Sequence, residues 1–344
     1  MEPMTVSLLE TGGEAAWDAF VRSSPSATFF HLSGWRRVIE AAFRHKTFYL
    51  VARRYGNICG VLPLTQVKSV LFGNSLISNA FCVYGGIAAA DEGASDGLRK
   101  EALRIGHELR VDGVELRSLH RSQTQRQSGS DIYVTFRRPI EPDLDANLKA
   151  IPRKQRAMVR KAFDNGLRSE LDNDVDRLHH IYAQSVRNLG TPVFSKRYFQ
   201  ILKEEFGAAC DVLTVLNGNR PIASVLNFYF RDEVLPYYGG GLSEARALAG
   251  NDFMYWEVMK RACERGFRLF DFGRSKVGTG AYNFKRNWGF EPTPLSYEYY
   301  PVMSNRTPNV NPLNPKYRLA ISLWRRLPLS VTKAIGPAIV RSIG

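Results

Sequence analysis

Residues 267–300 read FRLFDFGRSKVGTGAYNFKRNWGFEPTPLSYEYY. Phe267 to Phe272 is a strand, and Asp271-Phe272-Gly273-Arg274 ends it. Tyr282 to Trp288 makes a helix, Gly289-Phe290 turns the chain, and Leu295 to Tyr300 returns as a strand. Working upstream, a helix from about Asn251 to Arg265 stops at Gly266, with Asn251 and Asp252 as its N-cap pair. Before it stand strand Val234 to Tyr238, the run Gly239-Gly240-Gly241, and a hairpin of Val212 to Leu216 and Ile222 to Phe230 about the turn Asn217 to Asn219.

The same order of features occurs earlier in the chain. Tyr49 to Arg53 and Ile58 to Val67 form a hairpin about Tyr55 to Asn57. A glycine break at Val83 to Gly86 precedes an amphipathic helix with Leu98, Ala102, Ile105 and Leu109, and strand Val114 to Arg117 follows Gly113. Gly85 and Gly113 answer to Gly239 and Gly266 at offsets of 239 − 85 = 154 and 266 − 113 = 153. Duplication predicts an α/β (α+β) protein of two tandem domains, each a mixed sheet flanked by helices. Strand Ile132 to Phe136, after the polar loop His120 to Ser130, closes the first half, and the boundary falls at Pro139 to Pro142. The expected domains are 1–141 and 142–300, with a linker and basic tail at 301–344.

At 344 residues the chain can bury two cores without staples, and 44% hydrophobic with 23% charged residues excludes extended disorder. The net charge of +14 is concentrated. Residues 149–168 carry seven cations and Asp164 alone, and residues 301–344 carry seven cations and no acid, so +6 and +7 account for nearly all of it. Such blocks imply anionic partners. Four scattered cysteines and six histidines show no metal-ligand spacing, so no metal site is expected. The N-terminus lacks a basic-then-apolar signal and no run reaches 18 apolar residues, which predicts a cytoplasmic protein.

The order of parts resembles the GNAT acyltransferase fold present twice, as in the FemAB-type transferases that attach amino acids to cell-wall precursors. Asp271 to Arg274, Tyr282 to Trp288, Gly289-Phe290 and Leu295 to Tyr300 match the closing strand, helix, Gly-Phe turn and strand of a GNAT domain, and Ile151 to Gly166 resembles the basic helix opening the second FemAB domain. Ile151 to Leu167, Asn188 to Phe194 and Tyr237 to Gly241 look, more narrowly, like the FemAB-like proteins of exosortase and PEP-CTERM exopolysaccharide systems. The resemblance implies acyl or aminoacyl transfer to an amine, with acyl-CoA or aminoacyl-tRNA as co-substrate and no tightly bound cofactor.

Where many GNAT enzymes place a leaving-group tyrosine, four residues before the Gly-Phe turn, this chain has Lys285, and Tyr282 lies one helical turn earlier. Phe284, Lys285, Trp288 and Gly289 also meet the FemAB-type Phe-Lys-x-x-aromatic-Gly pattern. A fixed cation there stabilises an oxyanion or leaving group; a lysine flanking a surface helix is the bland alternative, as is packing for Tyr282. Asp271 and Glu257 are candidate bases for the amine, and Asp271 equally suits a loop cap. Arg274 with Gly278 and Gly280 approaches the pyrophosphate-loop pattern with one residue too many, after the later strand, which argues against a firm coenzyme A assignment.

Arg153, Arg156 and Arg160 fall at i, i+3 and i+7, and Lys154 and Lys161 form a second stripe of the basic helix. Arginine forks grip phosphate, so a nucleotide sugar, a lipid-linked pyrophosphate or tRNA would fit them. Gly239, Gly240 and Gly241 predict an open groove where ligand meets backbone, or a flexible bulge. Arg187, Asn188 and Thr191 line an acceptor groove or make a turn. The tail, with Trp324 among leucines and arginines, suits peripheral contact with the inner membrane, or packing on the protein. The leading reading is an N-acyltransferase or aminoacyltransferase acting on an envelope or exopolysaccharide precursor. The alternatives are a non-catalytic binder of phosphate ligands or tRNA, and a membrane-peripheral assembly factor.

Overall fold

The computed structural model describes residues 4–69, 72–119, 132–303 and 315–343; the expected polar loop and most of the tail's linker lie outside them. Two compact units emerge, one of Met1–Asp131, Leu295–Asn311 and Arg341–Gly344, the other of Ile132–Pro294 and Pro312–Val340.

The first unit runs β1 (Thr5–Leu8), α1 (Glu14–Ser23), α2 (Gly34–Phe43), β2 (Lys46–Arg54), β3 (Asn57–Ser69), β4 (Gly73–Ser78), β5 (Ala88–Ala89), α3 (Glu92–Glu108) and β6 (Gly113–Ser118). The expected hairpin turn is present, with Tyr55 and Gly56 at φ 53° and 77°, the paired positive angles that suit a two-residue hairpin. Leu98, Ala102 and Ile105 of α3 are buried against Leu50, Leu62 and Leu64 of the sheet, as their helical spacing requires.

The second unit runs β7 (Tyr133–Pro139), α4 (Leu144–Ala150), α5 (Arg153–Asp164), β8 (Arg168–Leu171), α6 (Asp176–Leu189), α7 (Lys196–Phe206), β9 (Cys210–Asn217), β10 (Arg220–Phe230), β11 (Glu233–Gly241), α8 (Ser243–Ala247), α9 (Gly250–Glu264), β12 (Leu269–Asp271), β13 (Ser275–Lys276), α10 (Gly280–Asn287) and β14 (Pro292–Pro294). Then come β15 (Ser296–Pro301), α11 (Pro315–Arg326) and α12 (Leu329–Arg341). Its core joins Phe136, Phe253, Met259, Phe270, Phe272, Trp288 and Phe290.

Sheet membership departs from chain order in two places. The strand expected to close the first half, β7, pairs with β12, β13 and β14 in the second sheet. The strand expected to close the second half, β15, pairs antiparallel with β6 in the first, Tyr297 opposite Arg117 and Tyr299 opposite Glu115. Each sheet is therefore finished by a strand read from sequence as belonging to the other half. Apolar patterning marks strands and faces but does not name their partners. The first sheet has the order β1-β2-β3-β4-β6-β15 and the second β13-β7-β12-β11-β10-β9-β8.

One smaller expectation changes, and the tail follows the packing alternative that the sequence left open. Helix α9 is preceded by Ala249 at φ 58° with no side-chain cap; Asn251 and Asp252 lie inside its first turn. The tail packs on the second unit: Arg325 donates to the Leu189 carbonyl at 3.1 Å, Trp324 is buried, and Gly336 meets Val193 closely. No helix among the described residues is long and apolar enough to cross a membrane.

Candidate functional site

Parallel strands β11 and β12 pair only through Glu233 with Leu269 and Val234 with Phe270. Past that point β11 continues along β10 to Gly241, while β12 follows β7. The carboxyl ends of two neighbouring parallel strands thus part, which in open α/β sheets is where ligands enter.

On the β12 side of the parting the chain bulges. Asp271 is opposite Arg137 and Ser275 opposite Val134, so 275 − 271 = 4 steps face 137 − 134 = 3. Gly273, at φ 70°, supplies the left-handed residue that such an insertion needs. The bulge turns the Gly273 and Arg274 carbonyls toward α10, where the Lys285 ammonium donates to both, at 2.9 and 3.1 Å. Lys285 is 8% exposed and is the buried lysine among the described residues. Burial lowers its pKa to about 7; the Asp271 carboxylate opposes that fall and the Arg274 guanidinium adds to it. The amine therefore changes charge near neutrality, held on one side and 5.7 Å from the Phe136 ring centroid.

Asp271 is 1% exposed. Its carboxylate accepts from the Gly273 N–H at 2.7 Å and the Thr135 hydroxyl at 3.2 Å, and lies 3.2 Å from Arg137 Nε. Burial raises its pKa against the pull of Arg137. So enclosed, its charge acts on Lys285, whose pKa it raises against the effect of burial. Arg137 also pairs with Glu233, the last-but-one point where β11 and β12 touch. Arg137 and Thr135 carry no motif signal, since β7 joins this sheet from the stretch of sequence that belongs with the first half.

Tyr282 packs its ring edge-on against Phe136 at 5.5 Å, and its amide donates to the Thr279 cap at 3.3 Å. The ring is partly buried beside the lysine's helix turn. Arg274 lies over the Tyr133 ring at 4.7 Å while its carbonyl serves Lys285.

The glycine run is neither a loop nor a flexible bulge but a partly exposed stretch of strand. Gly239, Gly240 and Gly241 are in strand β11, paired with Val225, Ser224 and Ala223. A Cβ on Gly240 would lie 2.6 Å from the Ser185 Cβ of α6, and one on Gly241 would strike the Asn251 amide oxygen. Helices fill the space that missing side chains leave. Arg187, read as a possible groove residue, donates to the Leu327 carbonyl of the tail at 3.4 Å, and Glu257 accepts from Ser169 at 2.8 Å.

Helix α5 buries Val159 and Ala162 against α9. Arg153, Lys154, Arg160 and Lys161 are exposed and Arg156 partly so, and none of the five has an ion-pair partner within 4 Å among the described residues. The helix is tied to the parting through Asp252, which accepts hydrogen bonds from Gln155 of α5 and, at 3.0 Å, from the Trp288 indole. Its other anchor is Gly289, at φ 78°, where a Cβ would come within 2.9 Å of Pro152. Basic helix, Gly-Phe turn and α9 are therefore one packed assembly. Gln155 and Asp252 carried no motif signal for this.

The corresponding place in the first unit is plugged. Strands β4 and β6 pair in parallel from Ser75–Gly113 to Ile77–Glu115. Beyond them the Ser78 hydroxyl accepts from the Arg117 amide at 2.7 Å, the Cys82 carbonyl from the Arg117 guanidinium at 3.2 Å, and the Val83 carbonyl from the Tyr297 hydroxyl at 2.6 Å. Gly86 N–H closes onto the Arg117 carbonyl at 2.7 Å.

A meander of three strands, a helix, a parallel strand parting from the meander and a short helix before a Gly-Phe turn is a distinctive order. Residues 153–286 match the family described as Acetyltransferase (GNAT) domain. The fold is that of the GNAT acyltransferases. Among solved structures, FemX superposes with a TM-score of 0.67 at 15% identity over 92% of this chain and 100% of its own. A tandem GNAT protein from the clavulanic acid biosynthesis pathway gives 0.56 at 12% identity over 89% and 99%. The C-terminal domain of a putative lysylphosphatidylglycerol synthetase from Agrobacterium fabrum gives 0.51 at 13% identity over 85% and 91%. No curated protein matches the chain in sequence. The likeness speaks for two GNAT-type units in tandem.

Proposed function

We propose that the second unit transfers an acyl or aminoacyl group to an amine, with Lys285 as the cation at the reacting carbonyl and the α5 arginines and lysines as the grip on a phosphate-bearing substrate. The observation that carries this reading is the buried Lys285 ammonium, fixed by two bulge carbonyls beside the parted ends of β11 and β12, with a pKa of about 7. Two of its three N–H groups are committed to backbone; the third is left for an oxyanion or a departing oxygen or sulfur. Asp271 favours the lysine's charged form and is held in turn by Arg137, Thr135 and Gly273.

In the reaction the amine nitrogen attacks the carbonyl carbon, and the carbonyl π electrons move to oxygen. Collapse then expels the thiolate of coenzyme A or the ribose oxygen of tRNA. That leaving group takes a proton from Lys285, and the nitrogen's proton passes to solvent. Both donors carry phosphate, so the α5 cations do not choose between them. The acceptor we assign is an amine on an envelope or exopolysaccharide precursor of the PEP-CTERM and exosortase type, which rests on the resemblance of Ile151 to Leu167, Asn188 to Phe194 and Tyr237 to Gly241.

Purified protein incubated with acyl-CoA and aminoacyl-tRNA donors and amine acceptors is expected to give an amide detectable by mass spectrometry, lost in Lys285→Met. Absence of any product from folded protein overturns the reading. The unpaired cations of α5 also suit a non-catalytic phosphate binder; that reading predicts salt-sensitive binding unchanged in Lys285→Met.

A further inference from the structure

Helices α11 and α12 turn one face inward. Trp324, Thr332, Gly336 and Val340 are buried, and Ile321 touches Gly190. What they leave outside is unusual. Leu319 is 71% exposed, Leu323 55%, Val331 38% and Ile335 43%, and Leu189, whose carbonyl takes the Arg325 guanidinium, is 66% exposed beside them. Singly exposed apolar side chains are ordinary, but five on two consecutive short helices and on the helix end that α11 packs against are a concentration that a soluble monomer seldom carries without use.

The charge around the patch selects its occupant. Among the described side chains of the tail, Arg325, Arg326, Lys333 and Arg341 are cationic and none is acidic. Arg326, exposed, follows Leu319 and Leu323 at i+7 and i+3, so the guanidinium shares the outer face with the two leucines. Ala334 and Ala338 are exposed on α12 and place no bulky or anionic group beside Val331 and Ile335. An acidic side chain near the patch would repel an anionic surface, and the tail has none. Short, interrupted at Pro328, each helix is suited to lie flat rather than to span.

We propose that the outer face of α11 and α12 docks the protein onto an anionic phospholipid bilayer, the leucines, Val331 and Ile335 entering the interface and Arg326 meeting lipid phosphate. This is a binding surface separate from Lys285, and it stands whether or not the transfer chemistry does. The occupant is a lipid surface rather than a second copy of the chain, because a two-fold apposition would bring like charges together.

The test is co-sedimentation of the full-length protein with sucrose-loaded vesicles of phosphatidylcholine alone and of phosphatidylcholine with phosphatidylglycerol. Partitioning is expected to be at least tenfold stronger with phosphatidylglycerol and to weaken with salt. Leu319→Ser with Leu323→Ser is expected to lower it at least tenfold, Val331→Ser with Ile335→Ser to do the same from the other helix, and Arg326→Glu to lower it severalfold. Leu8→Ser, on the exposed strand β1, leaves it unchanged. All the replaced side chains are exposed, so melting temperatures are expected to hold. Wild-type protein that stays in solution with both vesicle types, variants that bind as wild type does, or a dimer in sedimentation velocity that the leucine pair dissociates, each overturns the proposal.

Discussion

Lys285 pays for its position in lost hydration, and its two carbonyl partners and Asp271 return part of that cost. If the protonated lysine assists the reaction, the rate is highest below pH 7 and falls as pH rises through about 7, where the proton leaves. Asp271→Asn removes the negative charge that favours the ammonium, so the falling limb of the pH–rate profile is expected to move to lower pH. The same change leaves Arg137 without one of its two carboxylates, and a loss of roughly 3 kcal/mol in denaturant unfolding is expected. Lys285→Met is expected to lower kcat by about a hundredfold or more, as loss of one oxyanion donor does. Its melting temperature at pH 7 is expected to be no lower. Below its ordinary range near 10.4 and above 7, this lysine is protonated unfolded but not folded, so its burial costs stability there.

Among the elements, β11 and α5 show where a sequence reading succeeds and where it stops. The basic helix lies within two residues of its expected ends because Pro152, the i, i+3, i+7 cations and Gly166 all act within the segment itself. The glycine run was visible, but its use was not: whether missing side chains admit a ligand or a neighbouring helix depends on Ser185 and Asn251, remote in sequence. Gly240→Ala is accordingly expected to cost about 1–3 kcal/mol by overpacking against α6, read from chemical denaturation, and to change KM little beforehand. The Lys285 position was legible from its spacing to Gly289, whereas its partners Thr135 and Arg137 were not, since β7 joins from across the chain. Changing Arg153, Arg156 and Arg160 together to Gln is expected to raise KM for the phosphate-bearing substrate at least tenfold with kcat nearly unchanged, and to flatten the salt dependence of binding.

On the scale of the whole molecule, the two sheets trade their closing strands: β7 serves the second and β15 the first. Tyr297 of β15 bonds the Val83 carbonyl and lies 5.9 Å from Arg117. Tyr297→Ala is thus expected to speed amide exchange in β6 and in residues 78–87 while protection in β9 to β11 stays as it was. A fragment cut at the apparent repeat boundary would carry one sheet without its rim and a stray strand from the other.

Synthesis on the ribosome meets that arrangement in order. The N-terminal sheet has all but its last strand once residue 118 has emerged, yet β6 keeps a bare edge until residues 296–301 arrive, after almost the entire other sheet has been made. At about 5–20 residues per second that is a wait of roughly ten to forty seconds with an unfinished edge, so the nascent chain is a natural client for a holding chaperone, and the sheet that begins first is completed second.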